Sequence, residues 1–151
     1  MQIKLISEVN EEFDVVAQGF DEKLFRYLLP PSFIARLVEF GGSAPGDKVH
    51  IRFFIPWPAE WVSRITESYS SAEKMTFTDI GEKLPFGMKS WKHIHTVEMS
   101  SLQSARIIDH MHYSFGNKLI DMIMYPVLYF AFAPRKKLYR KYFKNRKSPN
   151  N

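Results

Sequence analysis

The sequence predicts an α+β fold in which a curved antiparallel sheet of about six to seven strands wraps around one long C-terminal helix. Three observations lead there. Hydrophobic residues alternate at period two through most of the chain from Phe33 to Phe115, the pattern of half-buried strands. The run Leu119 to Ala133 is instead apolar nearly all round a helix. A chain of 151 residues that is 45% hydrophobic, with 13 Phe, 7 Tyr and 3 Trp, can fill a core without disulfide staples. No linker or internal repeat divides it, so residues 1–151 read as one domain with a basic tail from about residue 134.

The elements follow in order. Gln2 to Val9 alternates, with Ile3 and Leu5 on one side, and suggests a strand. Asn10 followed by Glu11 and Glu12 reads as a helix start, a capping side chain ahead of acids in the first turn. Phe13, Val16, Ala17 and Phe20 then recur at helical spacing. Asp21 caps a second short helix containing Leu24, Phe25, Leu28 and Leu29, and Pro30-Pro31 stops it. Phe33 to Phe40 is a strand, and Gly41-Gly42 begins a turn. In Lys48 to Ile55, Val49, Ile51, Phe53 and Ile55 share one face, and Lys48, His50 and Arg52 the other. Pro56-Trp57-Pro58 cannot sit in a central ladder and marks a turn. Glu60 to Tyr69 and Lys74 to Ile80 are strands, Gly81 to Gly87 is a loop, and Ser90 to Met99 and Ser104 to Phe115 form a final pair.

After Gly116-Asn117 a long helix runs from about Lys118 into the basic tail. An interior Pro costs about 3 kcal/mol in an isolated helix. Pro126 therefore predicts a kink offset by packing, and Pro134 a second bend. Leu119, Ile123, Val127 and Phe130 form one stripe of this helix, and Met122, Tyr125, Tyr129 and Phe132 another. One stripe should line a cavity and the other should pack on neighbouring elements, leaving the helix covered on most sides.

The net charge is +5, but it is unevenly spread. Arg135, Lys136, Lys137, Arg140, Lys141, Lys144, Arg146 and Lys147 carry eight positive charges beyond Pro134 with no acid among them, which leaves the body at −3. Cations suit the negative end of a helix dipole, so the tail reads first as a solvated helix end. Weak contact with an anionic membrane is the further expectation for the tail, and nucleic acid is not expected as a partner. Met1 to Asn10 has no apolar signal core. Leu119 to Ala133 is shorter than the ~20 residues of a spanning helix and contains Asp121 and Pro126. The expected location is cytoplasmic.

Zero Cys excludes disulfides, thiolate zinc sites and Cys nucleophiles. No nucleophile elbow, phosphate loop or dinucleotide glycine pattern occurs, so no cofactor is expected. Gly41 to Gly46 is glycine-rich but has no following helix, and reads as a loop at a cavity mouth. The chemistry lies elsewhere. Trp91, His93, His95, Val97 and Met99 share the more apolar face of their strand, assigned inward. On the next strand Ile107, Asp109, Met111 and Tyr113 share the inward face. Across the hairpin the two sets meet, so Asp109 falls opposite or diagonal to His93 or His95, with Tyr113 a candidate extension. Such a cluster is a polar anchor, an acid–base pair or an internal hydrogen-bond network. A metal site from His93, His95, His110 and His112 would need a one-residue register shift that turns Ile107, Met111 and Tyr113 outward, so no metal is assigned. His50 lies on a polar face.

This order of elements, with the segment Leu84-Pro85-Phe86-Gly87-Met88-Lys89-Ser90-Trp91-Lys92-His93-Ile94-His95, resembles the SRPBCC superfamily of START and birch-pollen-allergen proteins. Ile65-Thr66-Glu67, Phe77-Thr78-Asp79, Asp109 to Tyr113 and the aromatic–basic C-terminal helix resemble segments of its small bacterial members. The resemblance covers nearly the whole chain. It implies the helix-grip fold and a cavity for a hydrophobic ligand between sheet and helix. It does not choose one activity, since the superfamily includes lipid carriers, receptors, cyclases and chaperone activators.

The leading expectation is therefore binding or transport of a small hydrophobic ligand, lipid-like or polyketide-like. Phe53, Ile65, Phe77, Phe86, Trp91, Met111, Met122, Tyr125 and Tyr129 would give apolar contact, and His93, His95, Asp109 and Tyr113 the polar anchor. One alternative is a cyclase or dehydratase in which His93, His95 and Asp109 transfer protons. The other is a protein-interaction or membrane-peripheral module acting through the basic tail.

Overall fold

A chain that alternates from Lys48 to Ser114 must pair each strand with the next, and it does. The computed structural model describes residues 1–146. Its sheet contains β1 (Gln2–Val9), β2 (Ala35–Phe40), β3 (Lys48–Phe53), β4 (Ala59–Ser70), β5 (Lys74–Lys83), β6 (Ser90–Ser101) and β7 (Ser104–Ser114). The order is β1-β7-β6-β5-β4-β3-β2, antiparallel throughout. Register shifts at Leu37/Glu39, Val62/Ser63, Ile65/Glu67 and Met99/Ser101 add local bends, the device by which a wide sheet curls. Because β1 and β2 lie at opposite edges, the chain between them must cross the sheet. It does so as α1 (Phe13–Gln18) and α2 (Glu22–Leu28). The Asp21 side chain caps α2 by accepting from Leu24 N at 2.9 Å. The expected cap of α1 shifts: Glu12, not Asn10, precedes its first turn, and no side chain caps it.

The C-terminal helix is divided. Asn117 accepts from Leu119 N and Ile120 N to start α3 (Lys118–Phe132), which runs uninterrupted through Pro126. Pro126 removes the N–H that would bond the Met122 carbonyl, but both residues are exposed, so water can take its place. The break comes at Ala133-Pro134, and α4 (Arg135–Arg146) follows. Lys147 lies outside the described residues.

Two apolar clusters fill the concave side. Under α1, α2 and α4, Val9, Phe13, Val16, Leu24, Val97, Ala105, Ile107, Tyr139 and Phe143 pack together. Under α3, Ile3, Leu5, Met88, Trp91, Met111, Tyr113 and Leu128 form the second. Reading along β6, Trp91 belongs to one cluster and Val97 to the other, with His93 and His95 between them. Along β7, Asp109 lies between Ile107 and Met111 in the same way. The inward rows thus carry a polar layer between two apolar ends.

The cover of α3 differs from the sequence expectation. Only Asp121 and Leu128 of this helix are buried. The stripe of Leu119, Ile123, Val127 and Phe130 faces solvent, and Met122 and Tyr125 are also exposed. The all-round apolar pattern misleads because α3 buries one stripe, through Leu128 and Phe132, against β6 and β7, while α4 inserts Tyr139 and Phe143 into the other cluster.

Candidate functional site

The polar layer is a network of two imidazoles and two carboxylates. His95 sits directly opposite Asp109 on β7, while His93 is its diagonal neighbour, opposite Met111. On the other side, β5 places Phe77 opposite His95 and Asp79 opposite His93. Two imidazoles are thus held between two carboxylates, their ring centroids 3.7 Å apart. His93 Nε2 is 3.0 Å from Asp109 Oδ1, whereas its Nδ1 is 3.7 Å from Asp79 Oδ2, beyond hydrogen-bond reach. His95 Nε2 is 3.2 Å from Asp79 Oδ2. Its Nδ1 is 3.2 Å from Asp109 Oδ1 but misaligned, and remains without a hydrogen-bond partner. Trp91 Nε1 donates to Asp79 Oδ1 at 3.1 Å, and Tyr139 from α4 donates to Asp109 Oδ1 at 3.4 Å. The Arg135 guanidinium is 3.9 Å from the same oxygen. Every partner of Asp109 gathers on Oδ1, and its buried Oδ2 accepts nothing.

The electrostatics follow from this geometry. Burial, then the neighbouring charge of His95, push His93 down to about 4, so near neutrality it is uncharged and donates through Nε2 to Asp109. Burial also opposes a charge on His95, but the bond to Asp79 and the charges of Asp109 and Asp79 outweigh it and raise its pKa. Burial works to raise both carboxyls. Their imidazole partners overcome it, holding Asp79 below and Asp109 well below the usual range. Burial, with the Asp109 charge, lifts the Tyr139 phenol well above its ordinary value. Two carboxylates therefore face the Arg135 guanidinium, the His95 ring whose charged form they favour, and the neutral His93 ring. The protons of the two rings are shared titrations of a pair.

A pocket of about 30 Å³ reaches His95 from the side of α1 and α2. Phe20, Leu24, Phe25, Leu28 and Phe40 form its apolar wall, and Asp21, Arg135 and Tyr139 join His95 as its polar part. That volume suits a single water. Phe77 stacks on His95 with centroids 4.4 Å apart, and Phe20 meets the same ring edge-on. Where the sequence predicts a wider hollow between helix and sheet, Leu128 and Phe132 of α3 pack onto Trp91, Met111 and Tyr113.

The expected residues divide accordingly. His93, His95, Asp109, Phe77 and Trp91 meet in the network. Ile65 is buried opposite Asp79 on β4, and Met111 is buried in the α3-side core. Phe53 and Phe86 pack against each other and against Trp61 and Trp57, away from His95. Tyr113 does not extend the network; its hydroxyl donates to the Asp121 carbonyl and ties α3 to β7. Met122 and Tyr125 are exposed, and Tyr129 is half-buried and stacked on Tyr125. His110 and His112 lie on the opposite sheet face, so the four-histidine cluster does not form. His50 is half-buried beside Glu60.

Asp79, Arg135 and Tyr139 are additions. Asp79 was signalled by its place two residues after the inward Phe77, and Tyr139 and Phe143 by their four-residue spacing within the basic run. Asp79, His93 and His95 also bring one ligand-type atom each within 4.8 Å of one another. They are the described residues suited to hold a metal ion, though an ion would displace the existing hydrogen bonds.

The sheet order, the edge-to-edge helices and the terminal helices on the concave side decide the architecture. It is a helix-grip fold. Norcoclaurine synthase from Thalictrum flavum, solved with dopamine and hydroxybenzaldehyde, matches with a TM-score of 0.71 at 17% identity, over 98% of this chain and 88% of that one. The Zhui aromatase/cyclase of a Streptomyces species matches at 0.70 and 10% identity, over 99% and 96%. The di-domain aromatase/cyclase BexL matches at 0.63 and 16%, over 99% of this chain and 48% of that one. No family model and no curated protein sequence matches. At these identities the likeness is one of fold.

Proposed function

We propose that the protein binds a small, largely apolar organic molecule whose polar group is anchored on His95, Asp109 and Arg135. The observation that carries this reading is the pair of unsatisfied buried atoms, His95 Nδ1 and Asp109 Oδ2, in a network that an aromatic pocket reaches. A buried polar atom without a partner costs about 1–3 kcal/mol, and a ligand hydroxyl or carbonyl would recover it. Phe20, Leu24 and Phe25 supply the apolar wall. With about 30 Å³ in the closed form, entry requires the α1–α2 arm to shift outward. The ligands named for norcoclaurine synthase, dopamine and hydroxybenzaldehyde, are small aromatic molecules with hydroxyl, amine or aldehyde groups, and an aromatic wall beside polar side chains suits that class. Thermal-shift titration with hydroxybenzaldehyde, dopamine and a fatty acid tests the reading. At least one should stabilise the wild type and lose its effect in His95→Gln; no shift with any probe overturns it.

A second reading is favoured by one observation, the opposed pKa displacements of adjacent rings. A raised His95 beside a lowered His93 is an acid next to a base, the arrangement of acid–base catalysis in cyclases and dehydratases. His95, which lines the pocket, would donate a proton from Nδ1 and recover one at the same atom as product forms, with the neutral His93 ring behind it. If so, His95→Ala abolishes turnover while binding persists; equal loss of both favours the binding role.

A further inference from the structure

We propose that the outward face of the α3–α4 arm docks on an anionic lipid bilayer, α3 lying flat in the interface and α4 resting its lysines on the headgroups. The two helices share one inward stripe across the Ala133-Pro134 junction: Leu128 and Phe132 on α3, then Tyr139 and Phe143 on α4. The opposite stripe runs at the same three- and four-residue spacing. On α3 it is Leu119, Ile123, Val127 and Phe130, exposed by 65%, 62%, 56% and 71%. Beyond Pro134 it continues as Lys137, Lys141 and Lys144, all exposed. The stripe therefore passes from wholly apolar to wholly cationic at the helix junction.

The chemistry points to lipid rather than to a protein partner. The single charged residue between Leu119 and Ala133 is Asp121, and it is turned inward, accepting from Ser114 and Phe115. The outward face of α3 offers no charge to fix register with a protein surface, whose interfaces carry polar rims. None of the three lysines has an ion pair among the described residues. A plain apolar helix followed by unpaired cations matches the boundary between acyl chains and anionic headgroups. No helix among the described residues is long and apolar enough to cross a membrane. Lying flat, 15 residues of α3 cover about 22 Å of interface.

Co-sedimentation of the whole chain with phosphatidylcholine–phosphatidylglycerol vesicles, beside phosphatidylcholine alone, tests the proposal. Binding is expected only with the anionic lipid. It should fall about tenfold or more in Ile123→Asp with Phe130→Asp, and likewise in Lys137→Glu with Lys141→Glu. All four positions are exposed, and thermal melts verify that the variants fold. Because the chain has no Cys, Val127→Cys takes a single polarity-sensitive dye, whose emission should shift blue on anionic vesicles. No binding to those vesicles, equal binding to phosphatidylcholine, or binding unchanged by either pair overturns the proposal. So does a blue shift on concentrating the protein without lipid, which would assign the face to a second copy. These outcomes are independent of the small-molecule site.

Discussion

Asp109 holds the polar layer together at the scale of single residues. It faces both imidazoles, accepts the Tyr139 hydroxyl and lies near Arg135. Asp109→Asn leaves the His95 ring and the Arg135 guanidinium with one carboxylate, Asp79, in the layer. Breaking a buried charged set this way costs about 3–5 kcal/mol, read as a loss of urea stability. The two rings also give stability a defined pH dependence. His93 has a folded pKa of about 4, below its unfolded value. Its contribution is complete above about pH 6.5 and is lost as pH falls toward 4, by about 3 kcal/mol. His95 is raised, so its contribution is complete below about pH 6.5 and is lost as pH rises through the folded value. Urea midpoints across pH should therefore peak near 6.5 and fall on both sides; a steady rise from acid to alkali would contradict the split. His93, His95 and Asp109 were legible in the sequence because alternation and hairpin register place them on one face. Asp79 was harder to see, since a charged residue in an apolar row reads as an outward exception until its partners across the strand are known.

At the scale of elements, the terminal helices exchange the roles that the sequence suggests. Hydropathy marks α3 as the buried helix and α4 as a solvated end, yet α4 inserts the fully buried Tyr139 and Phe143. The misleading factor is composition. Seven cations accompany those two aromatics in α4, and only their spacing tells that one face is dry. Phe143→Ala should cost about 3–5 kcal/mol in chemical denaturation. On α3 two neighbours give the sharper contrast. Leu128→Ala should cost about 2–5 kcal/mol, whereas Val127→Ala should stay within about 0.5 kcal/mol. Equal costs would mean that α3 is covered on both sides. The strands were legible nearly to the residue, because a period of two survives local bulges. The one clear extension is β5, which continues through Gly81 to Lys83 where the glycine suggested a loop.

For the whole molecule, the fold places a polar layer of paired carboxylates and imidazoles between two apolar clusters, with a narrow pocket reaching it at His95. The sequence shows which side chains belong to that layer; it does not show the room left around them, because cavity volume depends on rotamers of large residues such as Phe20, Phe25 and Phe132. The most direct test records the imidazole ¹⁵N signals of all five histidines with and without hydroxybenzaldehyde. The expected result is a protonated His95 and a neutral His93 near neutrality, both shifting on addition of the aldehyde while His110 and His112 stay fixed. Signals of His93 and His95 that titrate together near pH 6.5 and ignore the probe would contradict the account.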